Sequence, residues 1–140
     1  MKKYMGFKMI QAEPMMRDGM DGYKVVYPDG YESWSPKDVF EAAYMEIVPN
    51  PHLKTDMPSI SQSMVDDFIR EKHVQTLGEK TTVVRVALKN GFEIVESSAC
   101  VSAENYSEEM GAEICMEKIK DRIWMLLGFL LQTAVNGVQA

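Results

Sequence analysis

Two cations of the sequence are spaced so that they could bind one anion together. Lys118 and Arg122 lie four residues apart in a segment that predicts a helix, so both side chains project from one face. Like charges at this spacing destabilise a helix by about 0.2–0.5 kcal/mol, a cost that a bound anion would offset. The alternative is a solvated face on which Glu117 and Asp121 balance the two charges.

Small polar residues fill the passage that leads into this helix. "VESSACVSAENY" at 95–106 joins a predicted strand to the helix and contains Ser97, Ser98, Ser102 and Asn105. Their side chains, with the N–H groups at the helix start, could form the rim of a ligand site. Alternatively, Ser102 only caps the helix and the other serines only pack.

One strand cation and two aromatic residues complete the set of candidate ligand contacts. Arg85 lies in the middle of a predicted strand, where it could meet a phosphate or a helix carboxylate. Phe92 and Tyr106 offer ring faces on which bases can stack, with about 1–3 kcal/mol per base. For either aromatic residue, ordinary packing is the alternative.

The usual signatures of catalysis are missing from the sequence. There is no phosphate loop, dinucleotide fingerprint, GxSxG or HExxH motif, and His52 and His73 stand apart from any cysteine cluster. We therefore expect a protein that is not an enzyme and has no metal or cofactor. Cys100 and Cys115 are expected to be reduced thiols of a cytoplasmic protein, and a disulfide between them is the alternative.

Charge and hydropathy narrow the range of partners. The formal net charge is -6, and no segment is basic overall, which disfavours binding of duplex nucleic acid. The longest apolar run, "IWMLLGFLL" at 123–131, is too short to cross a bilayer, which needs about 20 residues. A small anion remains possible, because a few focused cations can hold one.

Residues 1–48 predict a module made of a strand, a hairpin and a helix. Tyr4 and Ile10 suggest the first strand, which Pro14 ends. Two β-rich runs, "YKVVY" and "YESW", flank Pro28-Asp29-Gly30, a set of turn residues that predicts a hairpin.

The module's helix and the segment after it are marked by proline. "SPKDVFEAAYMEI" predicts a helix with Ser35 as N-cap and Pro36 at the first helical position. Residues 49–60, "PNPHLKTDMPSI", contain three prolines, show no periodicity, and are predicted to be a linker.

Residues 61–140 predict a helix, a second hairpin and a long helix. "SISQSMVDDFIREKHV" suggests the first helix, and Asn90-Gly91 is a strong hairpin signal. The long helix is expected over about 103–135 with Ser102 as N-cap. The predicted fold is therefore α+β, with small antiparallel hairpins and a long C-terminal helix.

The end of the long helix predicts self-association. Apolar residues first follow one arc, but past Trp124 they surround the helix, as in Met125 and Phe129. A helix that is apolar all round must be covered on every side. We expect a second copy of the chain to cover it, or else the module at 1–48.

Several motifs of the second half occur together in one family. They are "LKNGF" at 88–92, "ESSACV" at 96–101, Asn105-Tyr106, Ile123-Trp124 and "GFLL" at 128–131. This pattern resembles small phage proteins of the gene-49/gene-66 type. "GYKVVYPDGYESWSPKDVFEAAY" is similar to a module found at the N-termini of phage proteins. The combination resembles the first type of Thoeris anti-defence protein.

This resemblance implies a phage protein that binds immune signalling nucleotides without cleaving them. The implied ligands are glycocyclic ADP-ribose isomers and cyclic di- and trinucleotides, and the implied assembly is a dimer or a hexamer. Family roles carry over to Phe92 and Asn105, and to Lys118 and Arg122 in place of an arginine pair. Lys118 departs from that pair, and lysine lacks the bidentate geometry of arginine. The alternative function is a phage module that binds and inhibits a host protein.

Overall fold

A computed structural model describes all residues, Met1–Ala140, and contains two antiparallel three-stranded sheets and one long helix. The predicted α+β fold is confirmed. The chain divides into two compact units, one formed by Met1–Ile47 with Leu130–Ala140 and the other by Val48–Phe129. The boundaries predicted at 1–48, 49–60 and 61–140 stay a prediction.

The first unit contains a sheet of three strands in the order β1-β2-β3. These strands are β1 (Gln11–Pro14), β2 (Gly22–Val26) and β3 (Glu32–Pro36). The predicted hairpin is present, and its turn has Gly30 at φ +90°, a region that favours glycine. The first strand begins later than predicted, since Tyr4 and Ile10 precede it.

The first helix, α1 (Lys37–Ala43), follows β3 directly. The prediction that Ser35 caps it is wrong, because Ser35 belongs to β3 and its hydroxyl lies 3.4 Å from the Pro36 carbonyl. Pro36 is the N-cap, not the first helical residue. Pairing of Tyr23 with Ser35 and of Gly22 with Pro36 extends the strand through both positions, so the helix starts later.

The second unit begins with a closed loop and a short helix. The Asn50 backbone N–H donates to Ser59 Oγ at 3.2 Å, and its side-chain amide donates to the Ile60 carbonyl at 3.1 Å. The helix α2 (Gln62–Asp67) follows. A salt bridge of 2.9 Å joins Asp66 to Lys120. The hydrogen bond from Lys120 lowers the pKa of Asp66.

The helix predicted through "REKHV" is in fact a strand. β4 (Ile69–Leu77), β5 (Thr81–Leu88) and β6 (Glu93–Ala99) form one sheet in this order, so the predicted hairpin gains an edge strand. Only Ile69 and Val74 of β4 are partly buried, and its other residues are exposed. Charged residues are common on edge strands because they prevent pairing with other chains.

A short 3-10 turn, Ala103–Asn105, separates β6 from the long helix α3 (Glu108–Asn136). The prediction that Ser102 caps α3 is wrong, because Ser102 precedes the 3-10 turn and makes no side-chain cap bond. Ser107 takes this role, since its hydroxyl accepts the Met110 N–H at 3.2 Å and its carbonyl accepts the Gly111 N–H at 3.0 Å.

The core of the second unit lies between α3 and the sheet. The predicted arc of α3 is confirmed at four positions one turn apart, and their partners come from α2 and the sheet. The buried residues of this core include Cys115, Ile119, Ile123, Leu127, Met64, Val65, Val84, Val86, Leu88 and Ile94. Met125 and Phe129 are 67% and 70% exposed, and the expectation that a second copy of the chain covers them stays a prediction. No helix of the structure is long and apolar enough to span a membrane.

Candidate functional site

Successive side chains of the central strand β5 point to opposite faces of the second sheet. Thr82, Val84 and Val86 are completely buried, as the predicted alternation requires. Glu96 pairs with Val84 and Ser98 pairs with Thr82, and residues directly opposite each other share a face. Glu96 and Ser98 therefore lie on the face of the sheet that α3 covers.

Gly111 allows the first turn of α3 to approach β5. A Cβ atom at this position would overlap Oγ1 and Cβ of Thr82, so a larger residue requires the helix or the strand to move. One turn later, the Cys115 thiol points to the Thr82 carbonyl at 3.8 Å. Burial raises the pKa of this thiol, which keeps it neutral.

Tyr106 has a structural role at the end of the sheet. Its hydroxyl lies 2.7 Å from Thr76 Oγ1 and 2.7 Å from Thr82 Oγ1, and Thr76 also donates to the Glu108 carboxylate. These bonds connect β4, β5 and the start of α3. The predicted ring face of Tyr106 is only partly accessible, because the residue is half-buried.

Lys118 and Arg122 both reach the edge strand β6. The Lys118 ammonium donates to the Ser97 carbonyl at 3.1 Å, and Arg122 donates to the Glu96 carboxylate at 3.1 Å. The two cations thus contact consecutive residues of one strand. The side chain of Arg122 is 48% exposed, and that of Glu96 is 25% exposed.

These contacts do not use all the donors of the two cations. An ammonium group has three N–H donors and a guanidinium group has five. Lys118 and Arg122 therefore keep donors that can bind a further anion along β6. We call Glu96, Ser97, Lys118 and Arg122 the β6 cation site, because its two cationic side chains, Lys118 and Arg122, lie against β6 and could bind an anion.

Arg85 lies on the opposite face of the sheet. Its guanidinium contacts Glu71 of β4 at 3.4 Å and Glu93 of β6 at 3.3 Å. The predicted carboxylate partner is present, but it comes from two neighbouring strands and not from a helix. Because alternate residues of a strand face opposite ways, Arg85 cannot join the β6 cation site of its own chain.

Ser102 directly precedes the 3-10 turn after β6, and Asn105 is the last residue of that turn. The Ser102 carbonyl accepts the Asn105 N–H at 3.2 Å and the Cys100 thiol at 3.0 Å. The Asn105 side chain is exposed, as a ligand contact must be. Nearby, the Lys80 ammonium donates to the Val101 carbonyl at 3.1 Å.

Phe92 lies at the other end of β6. It closes the turn after β5, where its N–H donates to Asn90 Oδ1 at 3.0 Å, and its side chain is 53% exposed. Seven residues of β6 separate Phe92 from the passage that leads to Asn105, and a strand of this length spans about 20 Å. One copy of the chain therefore does not bring Phe92 and Asn105 together.

Sequence reasoning found the two cations but missed their partners. Ser97 binds Lys118 and Glu96 binds Arg122 only because β6 runs beside α3, a long-range relationship that spacing does not reveal. The hydrogen bonds of Thr76 and Thr82 to Tyr106 were missed for the same reason. The one local signal was the second serine of "VSAENYSEE", which identifies Ser107 as an alternative N-cap.

Comparison with known proteins gives one match. Residues 60–135 match the family described as phage protein (N4 Gp49/phage Sf6 gene 66). The matched range contains all of the second sheet, the β6 cation site and nearly all of α3. No curated protein and no solved structure gave a significant match. Since the match covers more than half of the chain, this protein belongs to the phage protein (N4 Gp49/phage Sf6 gene 66) family.

Proposed function

We propose that this protein binds and sequesters cyclic nucleotide immune signals in the cytoplasm of the infected cell without cleaving them. The observation that carries the proposal is the β6 cation site, where Lys118 and Arg122 of α3 lie side by side against the edge strand β6 and keep unused N–H donors. Membership of a phage protein family is compatible with a role during infection. The resemblance to the first type of Thoeris anti-defence protein supplies the ligand class.

The chemistry of the proposed ligands fits the residues of the site. Glycocyclic ADP-ribose isomers and cyclic di- and trinucleotides combine phosphates, riboses and flat bases. Lys118 and Arg122 would bind phosphate oxygens with charge-assisted hydrogen bonds. The exposed ring of Phe92 would stack on a base, and the amide of Asn105 would bind a base edge or a ribose.

A complete site requires two copies of the chain. In a two-fold pair whose β6 strands run antiparallel side by side, the start of one strand meets the end of the other. Phe92 of one copy then lies near Asn105 of the other, and the two cations lie between these ends. Such a preformed pocket suits tight binding, because little ordering is needed when the ligand enters.

The proposal is tested by a thermal-shift screen against glycocyclic ADP-ribose isomers, cyclic dinucleotides and cyclic trinucleotides. A ligand at 100 times its Kd adds about 2.7 kcal/mol of stability, which gives a clear shift. Protein is then heat-denatured, and the released nucleotide is analysed. Intact release supports sequestration, whereas an altered nucleotide contradicts the proposal and indicates an enzyme.

Variants locate the binding site. Arg122→Ala, Phe92→Ala and Asn105→Ala should each weaken nucleotide binding in a folded protein. Arg70→Ala is the matched control, because Arg70 is an exposed arginine of β4, at the other edge of the sheet. Equal affinity of all four variants and the unmodified protein would show that the nucleotide does not bind at β6.

The second candidate function is inhibition of a host protein by direct binding. It is favoured by exposed apolar residues, since Val101 just after β6 is 96% exposed and Met110 and Ile114, on the same face of α3 as Lys118, are 63% and 46% exposed. If no nucleotide shifts the melting temperature and a host protein co-purifies in a fixed ratio, this function replaces sequestration.

A further inference from the structure

The first unit contains a groove lined by stacked aromatic rings. Tyr23 and Phe40 stack with ring centroids 4.1 Å apart, and Phe40 and Tyr44 stack at 4.9 Å. Met9 and Ile10 add aliphatic surface, and the groove has a volume of about 620 Å³. It lies between α1 and the strands β1 and β2 and is large enough to hold several side chains.

The groove carries more acidic than basic groups. Glu41 and Glu46 line it and are exposed, and Glu41 also accepts the Tyr23 hydroxyl at 2.7 Å. This hydrogen bond raises the pKa of Tyr23. Lys8 is the cation of the lining, and its ammonium lies 4.4 Å from the centre of the Tyr27 ring. An occupant that is both apolar and positively charged would therefore fit the groove.

The segment Met1–Phe7 has this composition. It has the sequence MKKYMGF, with Lys2 and Lys3 as its charged side chains, and it forms no helix or strand. Tyr4 is 90% exposed and Met5 is 84% exposed, although both are large apolar side chains. In an extended conformation, seven residues reach about 23 Å, enough to cross a groove of this size.

The first unit also buries too little apolar surface within one copy. Of residues 1–47, Gly22 and Val25 alone are buried, and α1 contains no buried residue. A small sheet with one short helix needs more apolar contact than this to be stable. A second apolar layer over the aromatic rings would supply it.

We propose that the segment Met1–Phe7 of one copy docks in the aromatic groove of a second copy. Tyr4 and Met5 pack on the stacked rings, while Lys2 and Lys3 face Glu41 and Glu46. The occupant is a second copy because Tyr4 and Met5 of the same chain are exposed to solvent and do not line the groove, whose first lining residue is Lys8. In a dimer with two-fold symmetry, the segment of each copy occupies the groove of the other copy. No segment or groove is then left over, so the assembly ends at two copies. This inference does not depend on nucleotide binding.

Disulfide trapping between two distinguishable chains tests the docking directly. One chain carries Met5→Cys and the other, with a tag that changes its mass, carries Met45→Cys at the groove; both also carry Cys100→Ser. In a glutathione redox buffer, the mixed pair should form a disulfide-linked heterodimer. The control partner carries Met57→Cys in the second unit, where the methionine is 67% exposed against 44% for Met45. Equal trapping by the control, or no trapping at Met45, overturns the proposal.

A charge exchange tests the ionic part of the contact in the full chain. Lys2→Glu with Lys3→Glu, and separately Glu41→Lys with Glu46→Lys, should each weaken self-association about tenfold, because two attractive pairs become repulsive. The chain with all four changes should recover the original affinity. Sedimentation equilibrium measures the association constant of each variant.

The control for the charge exchange is Lys54→Glu with Lys89→Glu, two exposed lysines of the second unit. It changes the net charge as much as the Lys2 and Lys3 variant does, so its association constant should stay near that of the unmodified chain. A monomeric unmodified chain, or a fourfold variant that does not recover, overturns the proposal.

Discussion

Gly111 of α3 and Thr82 of β5 are in direct contact, and a single added methyl group would fill the same space as the threonine side chain. Thr82 is completely buried, so it cannot turn away into solvent. This close contact sets where the first turn of α3 crosses the sheet. It therefore also sets the position of Lys118 and Arg122, two and three turns further along the same helix.

Gly111→Ala should lower the free energy of unfolding by about 1–3 kcal/mol, as overpacking of a filled core usually does. Gly128→Ala is the matched control, because it also lies inside α3 and a Cβ atom there meets nothing within 4 Å. That change should instead raise the free energy of unfolding by about 0.5–1 kcal/mol, since alanine is the better helix former. Urea denaturation measures both, and a neutral Gly111→Ala would show that the helix shifts at no cost.

Tyr106→Phe should lower the free energy of unfolding by about 1–3 kcal/mol, because it leaves the buried Thr82 hydroxyl without its partner. Tyr31→Phe is the control, since Tyr31 is 65% exposed, and no change is expected. Thr82→Val should reduce the effect of Tyr106→Phe in a double-mutant cycle. If the two losses of unfolding free energy add fully in the double variant, Tyr106 and Thr82 are not coupled, which would contradict the hydrogen bond between them.

The pH dependence of stability should include a contribution from Asp66 and Lys120. Because the hydrogen bond from Lys120 lowers the pKa of Asp66 in the folded chain, the contribution is present above the unfolded pKa of about 3.9. It is lost as the pH falls through the lower, folded pKa.

Lys120→Met should therefore lower the melting temperature at pH 7 and leave it nearly unchanged at pH 2. Both side chains are partly exposed, so the difference should stay below about 1 kcal/mol. Lys54→Met, at an exposed lysine of the loop at 49–60, is the control. An equal loss at both pH values would mean that Lys120 acts through packing.

The parts of the fold that local chemistry determines were predictable. Both hairpins turn at residue types that favour turns. Each turn contains a glycine with a positive φ value, +90° at Gly30 and +88° at Gly91. The buried arc of α3 follows from its spacing. β4 was not predictable, because its side chains form a solvated, charged edge and only its pairing with β5 makes it a strand.

The candidate site was predictable only in part. The spacing of Lys118 and Arg122 places them on one helix face, but nothing local indicates that Glu96 and Ser97 lie beneath them. The same limit applies to Arg85, whose carboxylate partners come from the two neighbouring strands. In each case the missing information is which strand lies beside which element.

Glu96→Gln distinguishes a ligand site from a structural contact at β6. In the chain without ligand, Glu96 forms a salt bridge with Arg122, and its negative charge would repel a nearby phosphate. If an anionic nucleotide binds here, removing this charge should raise its affinity, by up to about fivefold for one exposed charge pair. If Arg122 only holds α3 on β6, the same change should lower the melting temperature slightly and leave nucleotide affinity as it was.

Glu93→Gln is the matched control, because Glu93 is also on β6 but on the opposite face, where it contacts Arg85. Isothermal titration calorimetry with the nucleotide identified by thermal shift would measure both variants. We expect tighter binding for Glu96→Gln alone. Equal gains for both variants would indicate a general effect of net charge, and weaker binding for Glu96→Gln would mean that the carboxylate is needed to position Arg122.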